Sequence, residues 1–138
     1  MKDNLGRSFI TIMIVIAVFA FCLRIALEQA MRISILHNQA DSLTTIKLIS
    51  TALENYAKDN NNVFPGALAP LTETEPAYLD RDYSSLASFK GYSYNCSRLE
   101  ASGYRCVATP VKCGTTGQLV YSVTTGGSIT QEACIKKE

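Results

Sequence analysis

Residues 9–23, FITIMIVIAVFAFCL, carry no charge, and this run constrains the chain more than any other feature. A bilayer's hydrocarbon core is about 30 Å thick and takes roughly 20 helical residues to cross. Arg24 follows the run, then Ile25, Ala26 and Leu27, then Glu28. An arginine near the end of a span can snorkel to the interface, so the run reads as one transmembrane helix. Lys2 and Arg7 precede it, against a single acid, Asp3. The positive-inside rule then keeps the N-terminus cytoplasmic and exports the C-terminal part. Three other readings fit the residues less well. A cleavable signal could end at Val18-Phe19-Ala20, but FCLRIAL beyond it stays apolar and helical. Cys22 as a lipid-attachment site would need a small residue before it, and Phe21 stands there. A buried core helix fits poorly with so uniform a run in a chain of 138 residues.

The helix does not stop at the membrane. No Pro or Gly interrupts residues 7–62. A continuous helix of about 50 residues would be roughly 75 Å long, too long for an ordinary globular helix and suited to a span that continues as a domain's spine. After Met31 the pattern turns amphipathic, with Ile33, Leu36, Ala40, Leu43, Ile46, Ile49, Leu53 and Tyr56 at three- and four-residue steps. That stripe is expected to pack on a small sheet, because it is short and lacks the sustained heptad of a coiled coil. His37, Asn38, Asp41, Lys47, Glu54 and Lys58 fall on the other face. His37 reads as a solvated residue, being the chain's one histidine with no partner in sequence. Arg24 and Glu28 stand four apart on one face and are placed to pair. Charges this close to lipid are better satisfied by partners, so both are also candidates for subunit contact.

The C-terminal part reads as a loop followed by short strands. Asn60-Asn61-Asn62 ends the helix and Pro65-Gly66 turns the chain. Residues 67–83 form a loop with room for one helical turn. Strands are expected at 92–97, 104–109, 118–124 and 128–131, with turns at Ala101-Ser102-Gly103 and Gly126-Gly127. Pro110 is expected to end the second strand. The fold class is therefore α+β: a long N-terminal helix, half transmembrane and half amphipathic, packed on a small antiparallel sheet.

Four of the five cysteines, Cys96, Cys106, Cys113 and Cys134, lie in the last third. In an exported domain of about 80 residues, marginal on its own core, an even set reads as disulfide staples. A zinc site would need closer pairs and more histidine than this spacing provides. Four cysteines permit three pairings. Cys96 and Cys106 are equidistant from Ala101, so the hairpin register favours joining them and leaves Cys113 for Cys134. The main competitor joins Cys106 to Cys113 across Pro110 and Cys96 to Cys134.

Residues 6–16, Gly6-Arg7-Ser8-Phe9-Ile10-Thr11-Ile12-Met13-Ile14-Val15-Ile16, resemble the N-terminal motif of type IV pilins and type II secretion pseudopilins. In that family a short basic leader ends in Gly, and a prepilin peptidase cuts after it and methylates the new N-terminus. The resemblance continues through Ala52-Leu53-Glu54-Asn55-Tyr56-Ala57-Lys58-Asp59-Asn60 to Phe64-Pro65, the end of the family's long helix and the first turn beyond it. It implies cleavage between Gly6 and Arg7, a leader at residues 1–6, a transmembrane helix at 7–30, and a pilin-like periplasmic or extracellular domain at 31–138. Within that domain the helix would run over 31–60, the loop over 61–90 and the sheet over 91–138. This chain departs from the pattern at two points. Arg7 replaces the usual Phe, and Thr11 replaces the Glu thought to pair with a neighbouring subunit's terminal amine. Thr11, like Arg24 and Glu28, is thus a candidate subunit contact of altered chemistry. The helix-breaking Pro common later in the family's membrane helix is also missing, and Glu28 stands in that region.

No nucleophile elbow, phosphate-binding loop, HExxH or paired-carboxylate pattern occurs, so no catalytic residue and no cofactor is expected. Asp80 and Asp82 share a loop that could hold calcium, but a solvated loop is the plainer reading and no metal is expected. A net charge of +1 gives no global reason to expect nucleic acid. The resemblance implies a structural subunit, minor or atypical, of a type IV pilus or type II secretion pseudopilus. Such a subunit is anchored in the inner membrane by one span before assembly, and its partners are the prepilin peptidase and other pilin or pseudopilin subunits. The alternative is a membrane-tethered extracytoplasmic binding domain that does not assemble.

Overall fold

A computed structural model describes the backbone of residues 4–135 and, apart from residues 4–8 and Arg98, their side chains. Residues 1–3 of the expected leader, Lys2 among them, and residues 136–138 of the expected domain lie outside the described residues. The elements are α1 (Asn4–Asp59), α2 (Pro70–Glu73), β1 (Tyr92–Glu100), β2 (Gly103–Pro110), β3 (Leu119–Thr124) and β4 (Ser128–Ala133). The strands form one antiparallel sheet in the order β1-β2-β3-β4, and the fold is α+β. By internal contacts the chain separates into a unit ending at Ser34 and a unit beginning at Ile35.

In the first unit α1 begins at Asn4, inside the residues expected as leader. From residue 9 to residue 34 every position is exposed, including Phe9, Ile14, Phe21 and Leu27. Apolar residues are thus exposed around the whole circumference of this segment.

In the second unit the rest of α1 lies on the sheet. Its buried line runs through Ser42, Thr45, Ile46, Ile49, Ser50, Leu53 and Ala57. The expected stripe therefore differs at its start, where Ile33, Leu36 and Ala40 are exposed and Ile35 is covered instead. Ile46, Ile49 and Leu53 are fully buried along this line, with the small residues Ser42, Ser50 and Ala57 buried between them. The Thr45 hydroxyl donates to the Asp41 carbonyl at 2.8 Å, so its polar atom is satisfied within the helix. The helix ends where Asn61 (φ 56°) and Asn62 (φ 62°) turn left-handed, a conformation Asn tolerates. The Asn62 amide then donates to the Ala57 carbonyl at 2.7 Å.

The connection over residues 61–90 carries more of the core than its lack of periodicity implied. Phe64, Leu68, Leu71, Leu79 and Tyr83 are all buried, and the expected helical turn is α2. The sheet sends Tyr92, Tyr94, Tyr104, Cys106, Ala108, Tyr121 and Val123 into the same core. Alternation along β2 is strict, with Tyr104, Cys106, Ala108 and Pro110 all buried. Pro110 is the last residue of β2 rather than a residue beyond it.

The β1–β2 hairpin shows how the register is set. Glu100 pairs with Gly103, so the turn is the two residues Ala101 and Ser102. A two-residue turn leaves an odd residue between Cys96 and Cys106, and the register shift between Cys96 and Arg98 absorbs it at Ser97 as a β-bulge. Cys96 thereby faces Cys106, with the two side chains on one face of the sheet.

Candidate functional site

The candidate residues fall in two regions: the exposed half of α1 and the stapled end of the sheet. Gly6 and Arg7 lie in the first turns of α1, and Thr11 is exposed one turn later. The helix is long and apolar enough to cross a membrane, and within its apolar window no residue is buried. Arg24 Nε lies 3.7 Å from Glu28 Oε1, with the two side chains 82% and 61% exposed. So open an ion pair contributes little to stability in water. Cys22 is a free, exposed thiol.

Two disulfides close the sheet. Cys96–Cys106 spans the β1–β2 hairpin with Cα atoms 4.0 Å apart, the close spacing of a non-hydrogen-bonded pair. Cys113–Cys134 ties the β2–β3 loop to the residue after β4, with Cα atoms 5.8 Å apart. That loop is also fixed by hydrogen bonds. The Cys134 amide donates to the Gln118 carbonyl at 2.9 Å, and the Gly114 amide to the Gly117 carbonyl at 2.8 Å. Its tip meets α1, where the Asn38 side-chain Nδ2 donates to the Thr116 carbonyl at 2.9 Å. Beneath it, the Tyr92 hydroxyl donates to the Leu119 carbonyl at 2.9 Å. Beside the disulfide an open concavity of about 730 Å³ is lined by Pro110, Val111, Val120, Ile135, Lys112 and Glu132. Val111 and Ile135 are largely exposed there.

A second tie between helix and sheet was not visible in the sequence. The Tyr104 hydroxyl is shared with Ser50 Oγ at 2.8 Å and donates to Glu54 Oε1 at 3.0 Å. The same Glu54 oxygen accepts the Gly126 amide at 2.7 Å. Glu54, expected on the solvent face, is thus half-buried and holds the β3–β4 turn to α1. Gly126 (φ 85°) and Gly127 (φ 74°) supply the left-handed turn that presents that amide. Burial pushes the Tyr104 pKa up to about 12. Burial likewise takes Tyr92 and Tyr83 up to about 12.

The remaining sequence candidates are engaged locally or lie in the open. His37 is exposed. Asp82 Oδ1 accepts the Ser84 amide at 2.9 Å and the Ser84 hydroxyl at 2.6 Å. Asp80 accepts the Tyr83 hydroxyl and the Arg81 guanidinium, each at 2.9 Å. Partial burial raises the Asp80 pKa, but those two donors outweigh it and hold the carboxyl below its usual value. Among the described residues, no group of three or more His, Cys, Asp or Glu is placed to hold a metal ion.

No protein-family profile matches the chain, and no curated protein matches it in sequence. Among solved structures it is similar to the non-core minor pilin PilV of Neisseria meningitidis. That similarity is 17% identity over 79% of this chain and 86% of that one, with a TM-score of 0.34, too distant to carry a function across.

Proposed function

We infer that this chain is a membrane-anchored, non-enzymatic structural subunit, minor or atypical, of a type IV pilus or type II secretion pseudopilus. The observation that carries this reading is the division of one helix between two environments. Residues 42–57 of α1 present a narrow line to the sheet, whereas residues 9–34 are exposed throughout and mostly apolar. An apolar helix uncovered on every side is stable only in lipid or among other such helices. The motif at residues 6–16 supports the same reading. A prepilin peptidase would cut between Gly6 and Arg7, leaving a methylated amine at Arg7. Residues 7–30 would then span the inner membrane, with the domain from residue 31 in the periplasm or in a surface filament. Thr11 cannot ionise, so charge-guided contact between subunits falls to residues beyond the apolar run.

Intact-mass analysis of the protein from membranes of cells with an active prepilin peptidase tests this. The expected mass lacks the six-residue leader. Full-length chain alone would contradict processing and leave the tethered binding domain as the better account.

A further inference from the structure

The two ends of the unit beginning at Ile35 expose different chemistry. At one end the Gly126 amide holds the β3–β4 turn to Glu54 at 2.7 Å. The Phe64 amide there donates to Ala101, in the β1–β2 turn, at 3.2 Å. The other end is gathered around Asn38, where α1 enters the unit. Asn38 Nδ2 donates to the Thr116 carbonyl at 2.9 Å, and a Cβ added to Gly91 would lie 2.9 Å from the same nitrogen. The Val111 amide donates to the Gly91 carbonyl at 3.0 Å, and Cys113 is bonded to Cys134. Residues 90–91, 111–116 and 134–135 therefore share the end at which α1 enters. Val111 is 53% exposed and Ile135 88% exposed, beside the concavity of about 730 Å³. Lys112 and Glu132 are the charged residues lining it among the described residues, and both are exposed. Nearby, Lys90 holds Asp41 at 3.0 Å. Lys136 and Lys137 follow Ile135 in the sequence.

We propose that this end of the domain rests on the phospholipid surface of the membrane, with Val111 and Ile135 below the headgroup phosphates and Lys112 on them. The proposal rests on the reading of the chain as membrane-anchored, and it concerns the state before assembly. Exposed apolar tips bordered by lysine suit the interfacial zone of a bilayer, where apolar groups leave water and ammonium groups meet phosphate. Glu132 opposes that attraction, whereas Asp41 is already engaged by Lys90. The chain itself brings this end to lipid. Asn38 stands eight residues after residue 30, the end of the proposed span, and eight residues reach at most about 29 Å even when fully extended. A short tether raises the effective concentration of the second contact, so a few side chains suffice to hold it. The opposite end of the sheet lies a strand's length away, about 30 Å for the nine residues of β1. It is the natural control, and Val63 is exposed there.

The chain has no tryptophan, so a single introduced one reports its own surroundings. The full-length chain carrying Ile135→Trp, Val63→Trp or Phe19→Trp is placed in nanodiscs of phosphatidylglycerol and phosphatidylcholine, one copy to a disc. Quenching of its fluorescence by brominated acyl chains is then measured. Phe19→Trp reports the anchor and is expected to be strongly quenched. Ile135→Trp is expected to be quenched as well, and Val63→Trp to behave as a tryptophan in buffer. Added to Ile135→Trp, Val111→Asp removes an apolar contact and Lys112→Glu reverses a headgroup charge. Each should lower the ratio of docked to free domain about fivefold. Quenching of Ile135→Trp no greater than that of Val63→Trp, or quenching that neither substitution lowers, would overturn docking while leaving the anchor intact. Protection of Ile135→Trp from a soluble quencher that appears only with two copies to a disc would assign this face to a second copy, and overturn it too. An unquenched Phe19→Trp would overturn the membrane-anchored reading itself.

Discussion

Replacing Gly117 by alanine tests whether the end of the sheet is packed as tightly as described. A Cβ added there would lie 2.1 Å from the Tyr92 hydroxyl oxygen, 2.6 Å from its Cζ and 2.8 Å from its Cε2. Tyr92 has no exposed surface, and its ring packs against that of Tyr121 at 6.3 Å between centroids, so it cannot swing into solvent. Relief needs a ring shift of more than about 1 Å, since non-bonded carbon contacts sit near 3.5 Å. Such a shift breaks the 2.9 Å hydrogen bond to the Leu119 carbonyl. The alternative is to move Gly117, but its loop is held by Cys113–Cys134 and by the Gly114 and Cys134 amides. Overpacking costs about 1–3 kcal/mol and a lost buried hydrogen bond about 1 kcal/mol, so the expected destabilisation is about 2–4 kcal/mol. Urea unfolding of the oxidised full-length chain in detergent, followed by near-ultraviolet circular dichroism, measures it. Tyr92→Phe removes the atom that clashes most, so the double variant should fall short of the summed singles by about 1 kcal/mol or more. A loss under about 0.5 kcal/mol for Gly117→Ala, or strict additivity, would refute this account of the packing.

Three further outcomes are expected. Removing Cys113–Cys134 by paired serine substitution should cost about 3.3 kcal/mol and removing Cys96–Cys106 about 2.7 kcal/mol, from chain entropy at separations of 21 and 10 residues. A loss below about 1 kcal/mol in unfolding of either pair would contradict the staple reading. Deleting Ser97 should leave Cys96–Cys106 formed, because the two-residue turn alone then sets Cys96 opposite Cys106; in a Cys22→Ser background, free thiols in the folded variant, read by maleimide mass shift, would show that the bulge assignment is wrong. Tyr83, Tyr92 and Tyr104 have folded-state pKa values raised from 10.0 to about 12, so the stability they confer is complete below pH 10 and lost as pH rises toward 12. Their tyrosinate absorbance should appear only with loss of the near-ultraviolet dichroism, and smooth ionisation near pH 10 in the folded chain would contradict their burial.

What could be read beforehand follows from how local each feature is. α1 was legible because an unbroken 7–62 with no Pro or Gly has few alternatives, and because Asn61 and Asn62 suit a left-handed end. The strands were legible from alternation, clearest in Tyr121 and Val123 against Val120 and Ser122. Cys96 and Cys106 were placed opposite each other by counting from Ala101, but the count works for a different reason. The turn is one residue shorter than expected and Ser97 takes up the difference. Long-range features escaped. The partners of Glu54 lie 50 and 72 residues away, so nothing near it in sequence distinguishes it from a solvated glutamate. The burial of Leu68, Leu71 and Leu79 likewise depends on where an aperiodic loop folds back. Of the candidate site, the exposed apolar run was plain in the sequence, since it is a property of composition alone.

The proposed topology sets residues 7–30 of α1 in a membrane and the domain from residue 31 on its outer side. A periplasm-dependent phosphatase fused after Glu138 measures this in one step. The account predicts an active fusion that stays with the membrane pellet through alkaline carbonate extraction. An inactive fusion, or an active one released to the supernatant, would contradict it.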